Sequence, residues 1–176
     1  GREGSGASYF YVSLASFLFL AGDKMFFFTL QLPAREQFEA QCVAEKDAIG
    51  IVNNVSEIGD SVHKKAIIAK SGDIDLAVHM VKALPDIGER IIFIKNMEQT
   101  LSEELFHEVR NYKNLVLSGD IDLCPFASEI AKIDFRTKIF FSQPQGEVWG
   151  EIPQLPLRKG YFMHGNDRDV ISVVEL

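Results

Sequence analysis

The hexapeptide Ser-Gly-Asp-Ile-Asp-Leu occurs twice, at 71–76 and 118–123, each time behind a short apolar run (Ala66-Ile67-Ile68-Ala69 and Leu115-Val116-Leu117). An apolar run closed by Ser-Gly and followed by two aspartates and helix formers reads as a strand, a tight turn and a helix start. The first copy leads into a helix through Leu84 and a strand at 90–94. The second leads into a helix at 125–133, with Pro125 suited to a first helical turn, and a strand at 137–141. Two successive strand–turn–helix–strand units predict an α/β fold. The expected architecture is a Rossmann-like, mostly parallel sheet flanked by helices, in a single domain. Its strands read as continuous apolar runs, as strands covered on both faces should.

Around this frame the rest of the chain falls into place. Residues 1–8 are small and polar and read as a frayed end, leaving an α/β domain over 9–142. Residues 9–20 are almost wholly apolar and read as a buried strand. The run is too short for a membrane span, which needs about 20 apolar residues, and Gly22-Asp23-Lys24 interrupts it. Residues 25–32 are its hairpin partner or the start of a helix, 34–46 an amphipathic helix, and 48–52 a brief strand. Beyond 142 the chain turns rich in Pro and Gly. Residues 143–176 are expected to wrap the sheet or form an edge hairpin, with a terminal strand at 170–174.

Composition narrows the function classes. The formal net charge of −7 opposes strong nonspecific binding to nucleic acid unless the basic residues gather on one face. The two cysteines, Cys42 and Cys124, have neither metal-ligand spacing nor a disulfide framework, so a reducing cytoplasm is the default setting. No phosphate-cradling Gly-rich loop, dinucleotide fingerprint or G-x-S-x-G elbow is present, and the four histidines show no ligand spacing.

The aspartates have two readings. In an open parallel sheet ligands gather outside the carboxyl ends of the strands, where Asp73, Asp75, Asp120 and Asp122 are expected. Carboxylates converging there would repel one another unless a cation neutralised them, and all-oxygen donors suit Mg²⁺ or Mn²⁺. Such an ion polarises phosphate and acidifies a bound water. Equally, Ser and Asp are ordinary helix N-caps, and both turns would then be capping solutions in a Rossmann-like fold.

The run Ser118-Gly119-Asp120-Ile121-Asp122-Leu123-Cys124-Pro125, followed by a helix and the strand Lys138-Ile139-Phe140-Phe141, resembles the terminal motif of NYN domains. These are PIN-like ribonuclease domains, with S-G-D-x-D-[FL]-x-P at that place. Residues 70–79 are similar to the family's upstream Lys/Asp element. Asp73 falls on its acidic position, and His79 stands where the family commonly has a second aspartate. For the acidic residue that closes the family's first strand the candidate is Asp23, without the asparagine that usually comes after it. The resemblance implies a metal-dependent endoribonuclease fold acting on RNA. Its catalytic residues would be Asp120, Asp122 and Asp73, and its Mg²⁺ or Mn²⁺ ligands those three with Asp23. The alternative is a non-catalytic, receiver-like or scaffold module that binds another protein. GDIDLAV is also similar to the D-x-D strand of nucleotidyltransferases, but the Gly-Ser turn that family needs ahead of it is absent.

Overall fold

The computed structural model describes residues 6–28, 32–69, 73–145 and 149–173. The chain divides into two compact units, Val12–Ser118 and Gly1–Tyr11 with Gly119–Leu176.

The first helix, α1 (Ala7–Leu20), occupies the stretch expected to be a strand, and it begins inside the residues expected to fray. The reason is periodicity. Val12, Ala15, Ser16 and Phe19 are buried at helical spacing, whereas a strand would bury alternate residues. Because Phe17 and Leu20 on the outer side are also apolar, the helical stripe is invisible to composition. Ser16 donates its hydroxyl to the Val12 carbonyl (2.9 Å), so its burial leaves no polar atom stranded.

Strand β1 (Met25–Phe27) is not the second arm of a hairpin. It runs parallel to strands on both sides and lies at the centre of a five-stranded sheet. Residues 29–31, within the segment expected to continue it, lie outside the described residues. Helix α2 (Leu32–Gln41) comes next, then strand β2 (Ile49–Val52) and a short α3 (Ile58–Ser61). The first predicted repeat unit is present as β3 (Ala66–Ala69), α4 (Ile74–Ala83) and β4 (Ile91–Lys95). After α5 (Met97–Thr100) and α6 (Glu103–Val109), strand β5 (Leu115–Ser118) completes the sheet. The order is β2-β3-β1-β4-β5 with every pair parallel, an α/β architecture compatible with a Rossmann-like fold.

The central strands are apolar on both faces. Phe26, Phe27, Phe28, Ile67, Ile92 and Phe93 are all fully buried. Phe27 stacks on its register neighbour Phe93 (5.0 Å between ring centres) and meets Phe38 edge-on (4.9 Å), and Phe38 in turn meets Phe19 (5.6 Å). Burying such aromatic side chains is worth about 1.5–3 kcal/mol each, and this cluster joins α1 and α2 to the sheet.

The amino edge of the sheet is closed by one side chain. Arg90 is 1% exposed and donates to the carbonyls of Met25, Lys65, Val62 and Lys64 at 2.9–3.2 Å, while its Nε donates to Asp86 (2.8 Å). Asp86 also accepts from Lys24 (3.2 Å). Burial alone would raise the Asp86 pKa, but the hydrogen bonds and charges of Arg90 and Lys24 outweigh it and hold the carboxyl below its ordinary range.

In the second unit the predicted repeat fails. The second hexapeptide opens a 3-10 turn over Ile121–Leu123, and the helix, α7, is confined to Ala127–Ala131. Strand β6 (Thr137–Phe140) does not join the parallel sheet. It pairs antiparallel with β7 (Lys159–His164), which pairs with β8 (Asp167–Ser172). The cause is the chain downstream of it. The β7–β8 hairpin closes through Gly165 and Asn166, with Gly165 at φ 57° as a two-residue turn requires, and offers β6 a ready antiparallel edge. One face of this small sheet is packed. A side chain at Gly160 would meet Ile139, Ile171 and Phe141 at 3.1–3.2 Å, and Phe141 also meets the ring of Phe10 (5.8 Å).

Among the described residues no helix is long and apolar enough to cross a membrane. Cys42 and Cys124 are both buried and unbridged, and burial pushes the Cys42 thiol up.

Candidate functional site

At the carboxyl edge of the parallel sheet, β1 connects onward to β2 on one side and β4 to β5 on the other. The crevice between β1 and β4 is therefore the point where ligands collect in folds of this kind. Lys95 ends β4 there, 8% exposed, its amine donating to Asn96 Oδ1 at 3.3 Å. Asn96 is held in the left-handed region (φ 55°). The Thr100 hydroxyl, 3.0 Å from both the Lys95 and Asn96 carbonyls, fixes the turn. Burial lowers the Lys95 pKa and Glu98 partly restores it. Lys95 belongs to none of the motifs read from the sequence. Its one signal there is a lone cation closing the apolar run Ile91-Ile92-Phe93-Ile94.

Asp73 stands beyond the carboxyl end of β3 as the N-cap of α4, its carboxylate accepting from the Leu76 N–H at 2.9 Å. The rest of the first turn, residues 70–72, lies outside the described residues. Asp75 faces away into an open cleft of about 590 Å³ that it shares with Ser102, Glu103, Glu104 and His107. Its three carboxylates make that cleft hostile to phosphate.

Asp120 and Asp122 belong to the second unit. Asp120 caps the 3-10 turn by accepting from the Asp122 N–H (3.1 Å), and Asp122 accepts from the Gln145 N–H (2.8 Å). The identical hexapeptides thus do different local work. The first starts a helix of full turns, and the second starts a tight turn whose last carboxylate anchors the chain after β6. Strands β3 and β5, which precede the two turns, are separated in the sheet by β1 and β4, a span of about 14 Å at ordinary strand spacing.

Asp23 is not brought to this edge. It precedes β1, so in an all-parallel sheet it lies at the amino edge beside Lys24, with its N–H donated to the Leu18 carbonyl (3.1 Å). Among the described residues no group of three or more His, Cys, Asp or Glu side chains is placed to hold a metal ion. The pair Asp120 and Asp122 fits a narrower case. Mg²⁺ takes one or two protein carboxylates and keeps several waters, and two carboxylates within one turn, Asp120 half-buried and Asp122 exposed, suit that need.

Comparison with protein-family models, with curated proteins and with solved structures finds no match to this chain. The class established is therefore the architectural one, an α/β chain built on a five-stranded parallel sheet.

Proposed function

We propose that this chain carries a nuclease-lineage domain of the NYN, PIN-like kind, with Asp120 and Asp122 as ligands of Mg²⁺ or Mn²⁺ and RNA as substrate. The observation that carries the reading is the Ser-Gly-Asp-x-Asp-Leu-x-Pro turn leaving β5 at the carboxyl edge of a parallel sheet. When bound, the ion would supply charge stabilisation at the phosphodiester and a more acidic water. The chain's own part is to hold the ligands still. The Asp122 N–H fixes one oxygen of Asp120, and the Gln145 N–H fixes one of Asp122. Asp73 has a capping bond of its own and acts in this reading as the start of α4.

A second reading, a non-catalytic Rossmann-like scaffold that binds another protein, is favoured by one observation. Asp73, Asp120 and Asp122 each already accept a backbone N–H, the first two as caps and Asp122 as an anchor for the chain after β6, so structural roles alone account for all three.

Thermal melting with Mn²⁺ separates the two. A site filled at a hundred times its Kd stabilises by about 2.7 kcal/mol. The melting temperature of the wild type should rise with Mn²⁺, and Asp120→Asn should abolish that rise. A wild-type melt indifferent to Mn²⁺ up to millimolar concentration removes the metal reading and leaves the scaffold.

A further inference from the structure

We propose that the solvent face of the β6–β7–β8 sheet binds single-stranded RNA, with bases stacked on Tyr161 and Phe140 and phosphates held by Lys138, Arg168 and Lys159. The register dictates the surface. Residues directly opposed in an antiparallel sheet share a face, so Lys138, Met163 and Arg168 form one rung. Phe140, Tyr161 and Val170 form the next, and Lys159 with Ser172 the third. The opposite face holds Gly160 and its tight neighbours and is the packed one. On the solvent face Val170 is 49% exposed, Arg168 is exposed, and Phe140 and Tyr161 are half-buried. Trp149 packs beside Phe140 (5.9 Å, rings tilted by 59°) and widens the aromatic rung.

Charge decides the occupant. The strand residues of this face include three cations and no carboxylate, in a chain whose formal net charge is −7. The two acids of β8, Asp167 and Asp169, are exposed but belong by register to the opposite face of this edge strand. A second copy of the same surface would be repelled, cation against cation. The aromatic rung lies between the cations, which span about 13 Å along β7 at ordinary strand rise. That is the layout by which sheet surfaces take two or three unpaired bases, each aromatic ring offering a stacking platform and each cation a phosphate. Arg168 is steadied by its bonds to the Gly165 and Asp167 carbonyls (2.8 and 2.7 Å), and Lys159 by the Ser172 hydroxyl. No hydrogen bond or ion pair engages the Lys138 side chain among the described residues. The choice of RNA over DNA rests on the nuclease reading, whereas the platform itself does not depend on the cation turn.

The test is fluorescence anisotropy of a labelled uridine octamer with the full chain, in EDTA and low salt. Binding is expected, with log affinity falling against log salt at a slope of about −2 for three phosphate contacts on a single strand. Lys138→Gln with Arg168→Gln should reduce that slope by about 1.4. Tyr161→Ala should weaken binding about fivefold or more through lost stacking. Tyr161→Leu, which keeps apolar bulk in the sheet, guards against a loss caused only by misfolding. Lys113→Gln, an exposed cation on the other unit, should change nothing. Absence of binding, equal affinity in the charge and tyrosine variants, or an equal loss in Lys113→Gln would overturn the platform. A thymidine deoxyoctamer binding as tightly would overturn the assignment to RNA. Because no metal is present, Asp120→Asn should bind like wild type, so failure of the cation reading and failure of this one are read separately.

Discussion

The two edges of the parallel sheet are built on opposite principles. At the amino edge Arg90 commits every donor to a carbonyl or to Asp86, and Asp86 is shared with Lys24, so the charges are paired and the strand ends tied together. At the carboxyl edge Lys95 is as hidden from water as many core residues, yet its amine meets a neutral amide oxygen at 3.3 Å. The difference teaches where this fold keeps its strength and where it keeps its chemistry. A buried charge with full partners is a structural device, and one with few partners is held at a disadvantage that a ligand could relieve.

The contrast can be broken by mutation. Arg90→Met should be the most damaging single change, because four carbonyls and a carboxylate lose their donor together. A loss of about 3–5 kcal/mol in urea unfolding is expected. A loss under about 1 kcal/mol would mean that Arg90 does not clamp the amino edge. Asp73→Ala should cost about 1 kcal/mol, the ordinary worth of an N-cap, with no change in the response to Mn²⁺. A much larger loss would give Asp73 a role beyond capping.

The smallest effects lie in pH, and at both edges stability should rise with pH, in the acid range for Asp86 and in the alkaline range for Lys95. The Asp86 pKa is lower folded than unfolded, so its stabilisation is complete above the unfolded value of about 3.9 and is lost as pH falls through the folded value. Asp86→Asn should flatten that acid limb. The Lys95 pKa is also lower folded than unfolded, so here too the unfolded chain binds the extra proton, but for a base this means that folding disfavours the charged form. Stability should therefore rise as pH climbs from the folded value toward about 10.4, and Lys95→Met should erase the rise while leaving neutral-pH stability unchanged or improved.

Much of the sheet was legible in the sequence because its strands are short apolar runs punctuated by turn residues. Ile49–Val52, Ala66–Ala69, Ile91–Lys95 and Leu115–Ser118 all fall within a residue or so of expectation. What escaped was non-local. Nothing in Thr137–Phe140 tells a strand that joins its parallel predecessor from one captured by a hairpin some twenty residues downstream, since an apolar run has no memory of direction. Residues 9–20 misled because an apolar outer face hides the 3.6-residue period that separates helix from strand. The hexapeptide misled in a subtler way. Six identical residues specify an aspartate cap in both places, but the structure beyond the cap is decided elsewhere. In one copy Leu76 and Ala77 find a core, and in the other Pro125 intervenes.

Helix α1 has a consequence for how the chain behaves in solution. It bears no charge from end to end, and Phe17 is 70% and Leu20 50% exposed. Copies are kept apart by the negative charge carried elsewhere, and that protection fades as acidity approaches the isoelectric point near 5.1. Turbidity on acidification should begin at this oily ridge, and Phe17→Asp should delay it.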